Sequence, residues 1–189
     1  MIYLDNSATT KPYNEALDAF RTASEKFFAN PSSLHRKGGE AERLLRQARS
    51  SIAELLHVKI NEVIFTSGGT ESNNLAIKGT AFQYLNRGKH LITSCIEHAS
   101  TLEAFRQLEL LGFAVTYLQV DQEGKVSLDE LEKALTPDTI LVSIMHVNNE
   151  LGSIQPIKEI GHLIKQKSRA LFHIDDVQGI GKVPLDFND

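Results

Sequence analysis

At 189 residues the chain is long enough for one ordinary domain with a sizeable core, and 41% hydrophobic with 23% charged residues is a globular composition. A net charge of −4 with no Lys/Arg stripe argues against nucleic acid as a partner, and the apolar runs are strand-length, far short of a membrane span. Cys95 is the only cysteine, so no intrachain disulfide forms; with no leader-like pattern in Met1-Ile2-Tyr3-Leu4-Asp5, a reducing cytoplasm is the expected compartment.

Apolar periodicity predicts alternating helices and strands. Ala16, Leu17 and Phe20, with the later Phe27 and Phe28, give a first helix face. The segment 28–35, with its Asn30-Pro31-Ser32-Ser33 core, reads as a structured loop. Ala41, Leu44, Leu45, Ala48, Ile52, Leu55 and Leu56 fit a longer amphipathic helix. Glu62 to Thr66 reads as a strand, followed by a helix carrying Leu75, Ala76, Phe82 and Leu85. A strand at Leu91 precedes a helix with Leu102, Phe105, Leu108 and Leu111. Ala114 to Val120 reads as a strand, and Ser127-Leu128-Asp129-Glu130 as a capping box opening a short helix. Thr139 to Met145 is a strand, Ile157 to Lys167 a helix and Leu171 to Ile174 a strand. Such alternation predicts an α/β fold: a mostly parallel sheet with helices on both faces. No repeat, low-complexity tract or linker interrupts it. From Val183 to Asp189 a further extended segment begins without a closing helix, as if the fold ends abruptly or continues in a longer protein.

Four polar clusters follow apolar runs, at Ser67–Asn74, Glu97-His98, His146–Glu150 and Asp175–Gln178. A parallel sheet delivers such residues to one edge, where ligands bind. Ser67-Gly68-Gly69-Thr70 suits an anion at a helix N-terminus. It matches neither a Walker A loop nor a dinucleotide fingerprint, and a plain strand-to-helix turn with Thr70 as N-cap is the simpler reading. Asp175 ends a buried strand, where a carboxylate either holds a pyridinium nitrogen or caps a turn. Gln178 could donate to a ring oxygen or be an ordinary polar residue. Asn149 suits a phenolic oxygen or a loop cap. His98 could stack on a flat cofactor and move protons, or be structural. His146 and His173 read as core or near-core histidines. Glu97-His98 lacks a third ligand at sensible spacing, so no metal site is expected. Cys95 reads as a small buried hydrophobe rather than a nucleophile, and Lys182 as a surface lysine rather than a Schiff-base lysine.

Taken together, six segments resemble the N-terminal half of a cysteine desulfurase, a fold-type-I pyridoxal-phosphate enzyme of the class-V aminotransferase kind. They are Tyr3–Thr10, Asn30–His35, Phe65–Asn74, Glu97-His98, Met145–Glu150 and His173–Gln178, in family order over nearly the whole chain. The resemblance implies that residues 1–189 are an N-terminal arm plus a partial cofactor-binding large domain, with no second complete domain. It implies pyridoxal 5′-phosphate held by Gly69 and Thr70 at its phosphate and by Asp175 at the ring nitrogen. Gln178 and Asn149 would meet the ring hydroxyl. His98 would stack on the ring and assist proton transfer, Val177 would pack on the opposite face, and Asn6 and Ala8 would lie near the substrate. The implied reaction converts L-cysteine to L-alanine and passes sulfur, through an enzyme persulfide, to an acceptor protein for iron–sulfur clusters or tRNA thiolation. The full-length enzyme would be a homodimer.

Two departures stand against the family pattern. The Schiff-base lysine, the persulfide cysteine and the substrate-carboxylate arginine have no match here, so these 189 residues alone are expected to be inactive. Asp176 stands where the family has a small residue; it either repels Asp175 and raises a pKa, or points outward. A selenocysteine lyase-type enzyme, or an inactive truncated fragment acting as a binding module, are the alternatives.

Overall fold

The computed structural model describes residues 2–185. The chain divides into two compact units, Met1–Phe65 and Thr66–Asp189. The first holds helix α1 (Asn14–Lys26), helix α2 (Arg36–Leu55) and a 3-10 turn at Ile60–Glu62. Helix α1 stops before Phe27 and Phe28, so these two extend no helical face. The loop ahead of α2 is structured: Asn30 Oδ1 accepts from Ser32 N at 2.9 Å, and Asn30 O accepts from Ser33 N at 3.0 Å. His35 then caps α2, its Nδ1 accepting from Gly38 N at 3.1 Å.

The second unit is built on helices α3 (Gly69–Gln83), α4 (Ala99–Leu110), α5 (Leu128–Ala134) and α6 (Ile157–Lys167). Its strands are β1 (His90–Ser94), β2 (Ala114–Leu118), β3 (Thr139–Met145) and β4 (Leu171–Asp175). They form one sheet in the order β2-β1-β3-β4, every pairing parallel. Successive side chains in a strand point to opposite faces, and the core follows that rule. Leu91 and Leu141 pack with Ile77 and Ala81 of α3 and Phe105 and Leu108 of α4. Their neighbours Ile92, Val142 and Ile144 pack with Leu131 of α5 and Ile160 and Ile164 of α6. The parallel α/β architecture, with helices on both faces, is therefore as expected. Ser127 caps α5, accepting from Glu130 N at 3.3 Å.

The strand expected at Glu62–Thr66 is absent. Glu62 closes the 3-10 turn, Val63 after it is extended, and residues 63–66 belong to no strand. A strand is defined by its ladder, and among the described residues this segment has no partner. Val120, at the end of the expected third strand, makes only an antiparallel bridge to Val126 beyond β2. Of the extended segment expected from Val183, residues 186–189 lie outside the described residues; Leu185 packs against the α5–α6 core. Among the described residues no helix is long and apolar enough to cross a membrane.

Candidate functional site

Because all four strands run parallel, their carboxyl ends meet at one edge. From β4 comes Asp175, 6% exposed. Its Oδ2 accepts from Asn73 Nδ2 at 2.7 Å, and its Oδ1 from Val177 N at 3.1 Å. The carboxylate thus both closes a turn and faces α3. Asp175, Asn73 and Ser100 are joined: Asn73 Nδ2 also donates to Ser100 Oγ at 3.0 Å, and Ser100 Oγ lies 2.8 Å from His98 Nδ1. Asn73 and Ser100 were not foreseen from the sequence. In the structure Asn73, Ile77 and Ala81 are the buried positions of α3, spaced by four, so a polar residue heads an apolar stripe.

His98 follows β1 and is the N-cap of α4, its Nδ1 accepting from Ser100 N at 3.1 Å. The ring is otherwise exposed. His98 and Asn149 line one recess of about 420 Å³, together with Cys95, Glu97 and Leu151. Cys95, expected to be buried, is exposed there. Every residue of β1 is buried and the strand ends at Ser94, and Cys95 lies in the turn beyond it. His146 is buried and His173 half-buried, as read; Lys182 is exposed.

Helix α3 starts at the same edge. Gly68, not Thr70, is its N-cap, and no side chain caps the helix. Thr70 lies one residue inside the helix and is exposed. Gly68 sits at φ 158° and ψ −179°, a region open almost only to glycine, so the glycine takes the cap and Thr70 is carried into the first turn. Orphan N–H groups of an uncapped first turn favour an anion. Glu71, the acid in that turn, folds back onto Ser67 N at 2.6 Å, and its hydrogen bonds to Ser67 hold its carboxyl below the usual range. A Cβ on Gly69 would come within 2.9 Å of Val177 Cγ2, so the helix start and the turn after β4 touch. Val177 is exposed and Gln178 half-buried in that turn.

Asp176 does not point outward. Its Oδ1 accepts from His146 Nδ1 at 2.7 Å, with both side chains largely buried, and its Oδ2 is buried without a partner among the described residues. Gly179 makes room for this pair: a Cβ there would collide with Asp176 Oδ1 and lie 2.8 Å from His146 Nδ1.

Glu97 is the other carboxyl at the edge. It is 5% exposed; its Oε1 accepts from Ser94 Oγ at 2.5 Å and from Met145 N at 3.0 Å, tying the end of β1 to the end of β3. Burial pushes its carboxyl up to about 7, against the two hydrogen bonds, and the Asp175 charge adds to the rise. Burial also lowers His173, below β4's end.

Asn6 and Ala8 belong to the Met1–Phe65 unit, where Asp5 O accepts from Ala8 N at 3.3 Å in an exposed turn.

Known proteins give this arrangement a family. Residues 2–189 match the family described as aminotransferase class-V. A NifS/IcsS protein homolog of Lactobacillus delbrueckii subsp. bulgaricus is 54% identical over 182 residues, which are 96% of this chain and 47% of that protein. Cysteine desulfurase IscS of Dictyoglomus turgidum is 48% identical over 188 residues, 100% of this chain and 48% of its own length. Among solved structures, a NifS-like protein superposes with a TM-score of 0.96 at 40% identity, covering 100% of this chain and 52% of that one. The chain spans about half the length of the curated relatives it matches. Pyridoxal-phosphate dependence is a general property of this family, and the chain belongs to the class-V aminotransferases.

Proposed function

We propose that this chain supplies the N-terminal part of a pyridoxal-phosphate-dependent cysteine desulfurase: an arm and a partial cofactor-binding domain. The observation that carries the reading is Asp175, a buried carboxylate at the carboxyl end of β4, oriented by Asn73 and standing beside an uncapped helix start. The donor set fits the cofactor's chemistry. An anion suits the first-turn N–H groups at Gly69 and Thr70. A carboxylate suits a protonated ring nitrogen, and exposed His98 and Val177 suit the two faces of a flat ring. Asn149 and Gln178 would meet a ring hydroxyl in this reading. When bound, pyridoxal phosphate supplies an electron sink for charge at the substrate α-carbon.

The chain's own residues then bind and orient. Asp175 holds a proton on the ring nitrogen, and Asn73 holds Asp175. The α3 N-terminus would anchor the phosphate, and His98 would cover one ring face. L-Cysteine is the substrate, L-alanine the product, and sulfur leaves to an acceptor protein for iron–sulfur cluster assembly or tRNA thiolation, by a cytoplasmic homodimer. The relatives' names support this reading, since they are cysteine desulfurases at 48–50% identity, and one solved neighbour at 42% identity is titled as a complex with cysteine. The covalent lysine and the persulfide cysteine would come from beyond these 189 residues.

The test is direct. The full-length protein is loaded with pyridoxal phosphate and given L-cysteine, and alanine and sulfide are measured against a cofactor-only blank. Cofactor-dependent alanine is expected from the full-length protein and not from residues 1–189. A full-length protein that binds the cofactor and makes no alanine from cysteine would overturn the assignment.

A further inference from the structure

The hydrogen bonds between Asp175 and His98 have only one possible direction. A carboxylate accepts, so the Asn73 atom 2.7 Å from Asp175 Oδ2 is the amide nitrogen. Its second hydrogen points to Ser100 Oγ at 3.0 Å. Ser100 Oγ therefore accepts from Asn73, and its own O–H is free to donate to His98 Nδ1 at 2.8 Å. A second donor meets the same nitrogen, because Ser100 N lies 3.1 Å from His98 Nδ1 and an N–H can only donate. Asn73 is 4% and Ser100 8% exposed, so water competes little for these bonds.

We propose that Asn73 and Ser100 are positioning residues that fix the tautomer of His98, leaving Nδ1 bare and the ring proton on Nε2, directed away from Ser100. The proposal rests on the reading of His98 as a cofactor-facing residue. It changes what that residue offers. With the chain of bonds intact, neutral His98 presents an N–H donor at Nε2 and has no lone pair there to take a proton. Taking one at Nδ1 would set N–H against the N–H of Ser100. Neutral His98 then offers a fixed N–H donor at Nε2 to an acceptor atom of the ligand.

The test uses the full-length protein labelled with ¹⁵N-histidine. Long-range ¹H–¹⁵N spectra at about pH 8, where an ordinary imidazole is neutral, report which ring nitrogen carries hydrogen. The His98 signals are assigned by their loss in His98→Gln. Wild type is expected to show the Nε2–H pattern alone. In Ser100→Ala, where the O–H donor is gone, the Nδ1 resonance is expected to move downfield. A wild-type Nδ1–H pattern would overturn the proposal even if Ser100→Ala fails to fold, and an unmoved Nδ1 resonance in a folded Ser100→Ala would overturn the part given to Ser100. Spectra are recorded before and after adding pyridoxal phosphate. Failure to bind the cofactor, with the Nε2–H pattern present, would count against the proposed function and leave the tautomer assignment standing.

Discussion

On the α3–α4 side of the sheet, the row Val115–Leu91–Leu141 is followed by the row Tyr117–Thr93–Ser143–His173, and then by Asp175 beside Met145. On the α5–α6 side, Thr116–Ile92–Val142–Phe172 is followed by Ser94 beside Leu118 and by Ile144 beside Ile174. One face turns polar across the sheet as it nears the carboxyl edge, and the other stays mostly apolar, with Thr116 and Ser94 as polar members of its rows. The polar row is satisfied internally: Thr93 Oγ1 donates to Ser143 O at 3.0 Å, and Ser143 Oγ lies 2.8 Å from His173 Nδ1. The difference teaches that the two faces divide the labour. The apolar face supplies packing, and the polar face supplies a hydrogen-bonded floor on which Asp175 is held.

That division can be broken by substitution. Ile144 is fully buried on the apolar face. Ile144→Ala should cost about 2–5 kcal/mol of unfolding free energy, with cofactor affinity of the folded protein unchanged, as read by urea unfolding and cofactor titration. A large affinity loss would mean the faces are not separate. Asp175→Ala should do the reverse. Turnover of the full-length enzyme should fall by about 10²–10³, the usual effect of removing one placed electrostatic group. Asp176→Ala should fall far less, since its partner is His146; the opposite ranking would show that the wrong aspartate has been assigned.

Glu97 sharpens the comparison through pH. Its folded carboxyl titrates at about 7, above an ordinary 4.5. The folded state therefore binds this proton more tightly than the unfolded state. The stability it lends is full below about pH 4.5 and is lost as pH rises through about 7. Glu97→Gln keeps an acceptor for Met145 N and Ser94 Oγ without the charge. Unfolding curves from about pH 5 to pH 8 should show the variant gaining on wild type by the order of 3 kcal/mol, at 1.36 kcal/mol per pKa unit. A pH-independent difference would remove Glu97 as the titrating group. The smallest effect is expected at Gly179. Gly179→Ala should cost about 1–3 kcal/mol by overpacking, and combining it with Asp176→Ala should recover most of that in thermal melts.

Much of the fold was legible because periodicity is a property of the chain itself. Thr139–Met145 and Ile157–Lys167 stand where alternation and helical spacing put them. The strand at Glu62–Thr66 was misread because a β-rich run becomes a strand only with a neighbour, and neighbours are not written locally. Cys95 was misread for a related reason. An apolar run says which residues favour burial, while the last ladder position decides which achieve it, and here that is Ser94. The cofactor-facing candidates could be named from motifs. Asn73 and Ser100, which join them, could not, because each looks like ordinary helix-start polarity until α3 and α4 are set side by side. Asp176 shows the same limit: its environment is made by His146, 30 residues away.

The hydrogen bond from Asn73 to Asp175 closes a sequence separation of 102 residues. A ribosome adding about 5–20 residues per second needs roughly 5–20 s to travel that distance. During that interval α3 and the early strands can exist while the ligand site cannot. Contacts of such long range are also slow to form. Anything that binds at this edge therefore recognises only the finished topology, and at a concentration of 100 Kd it would hold that state by about 2.7 kcal/mol. Ligand supply thus becomes a selection on nascent chains, favouring those that have docked β4 over those still waiting for it.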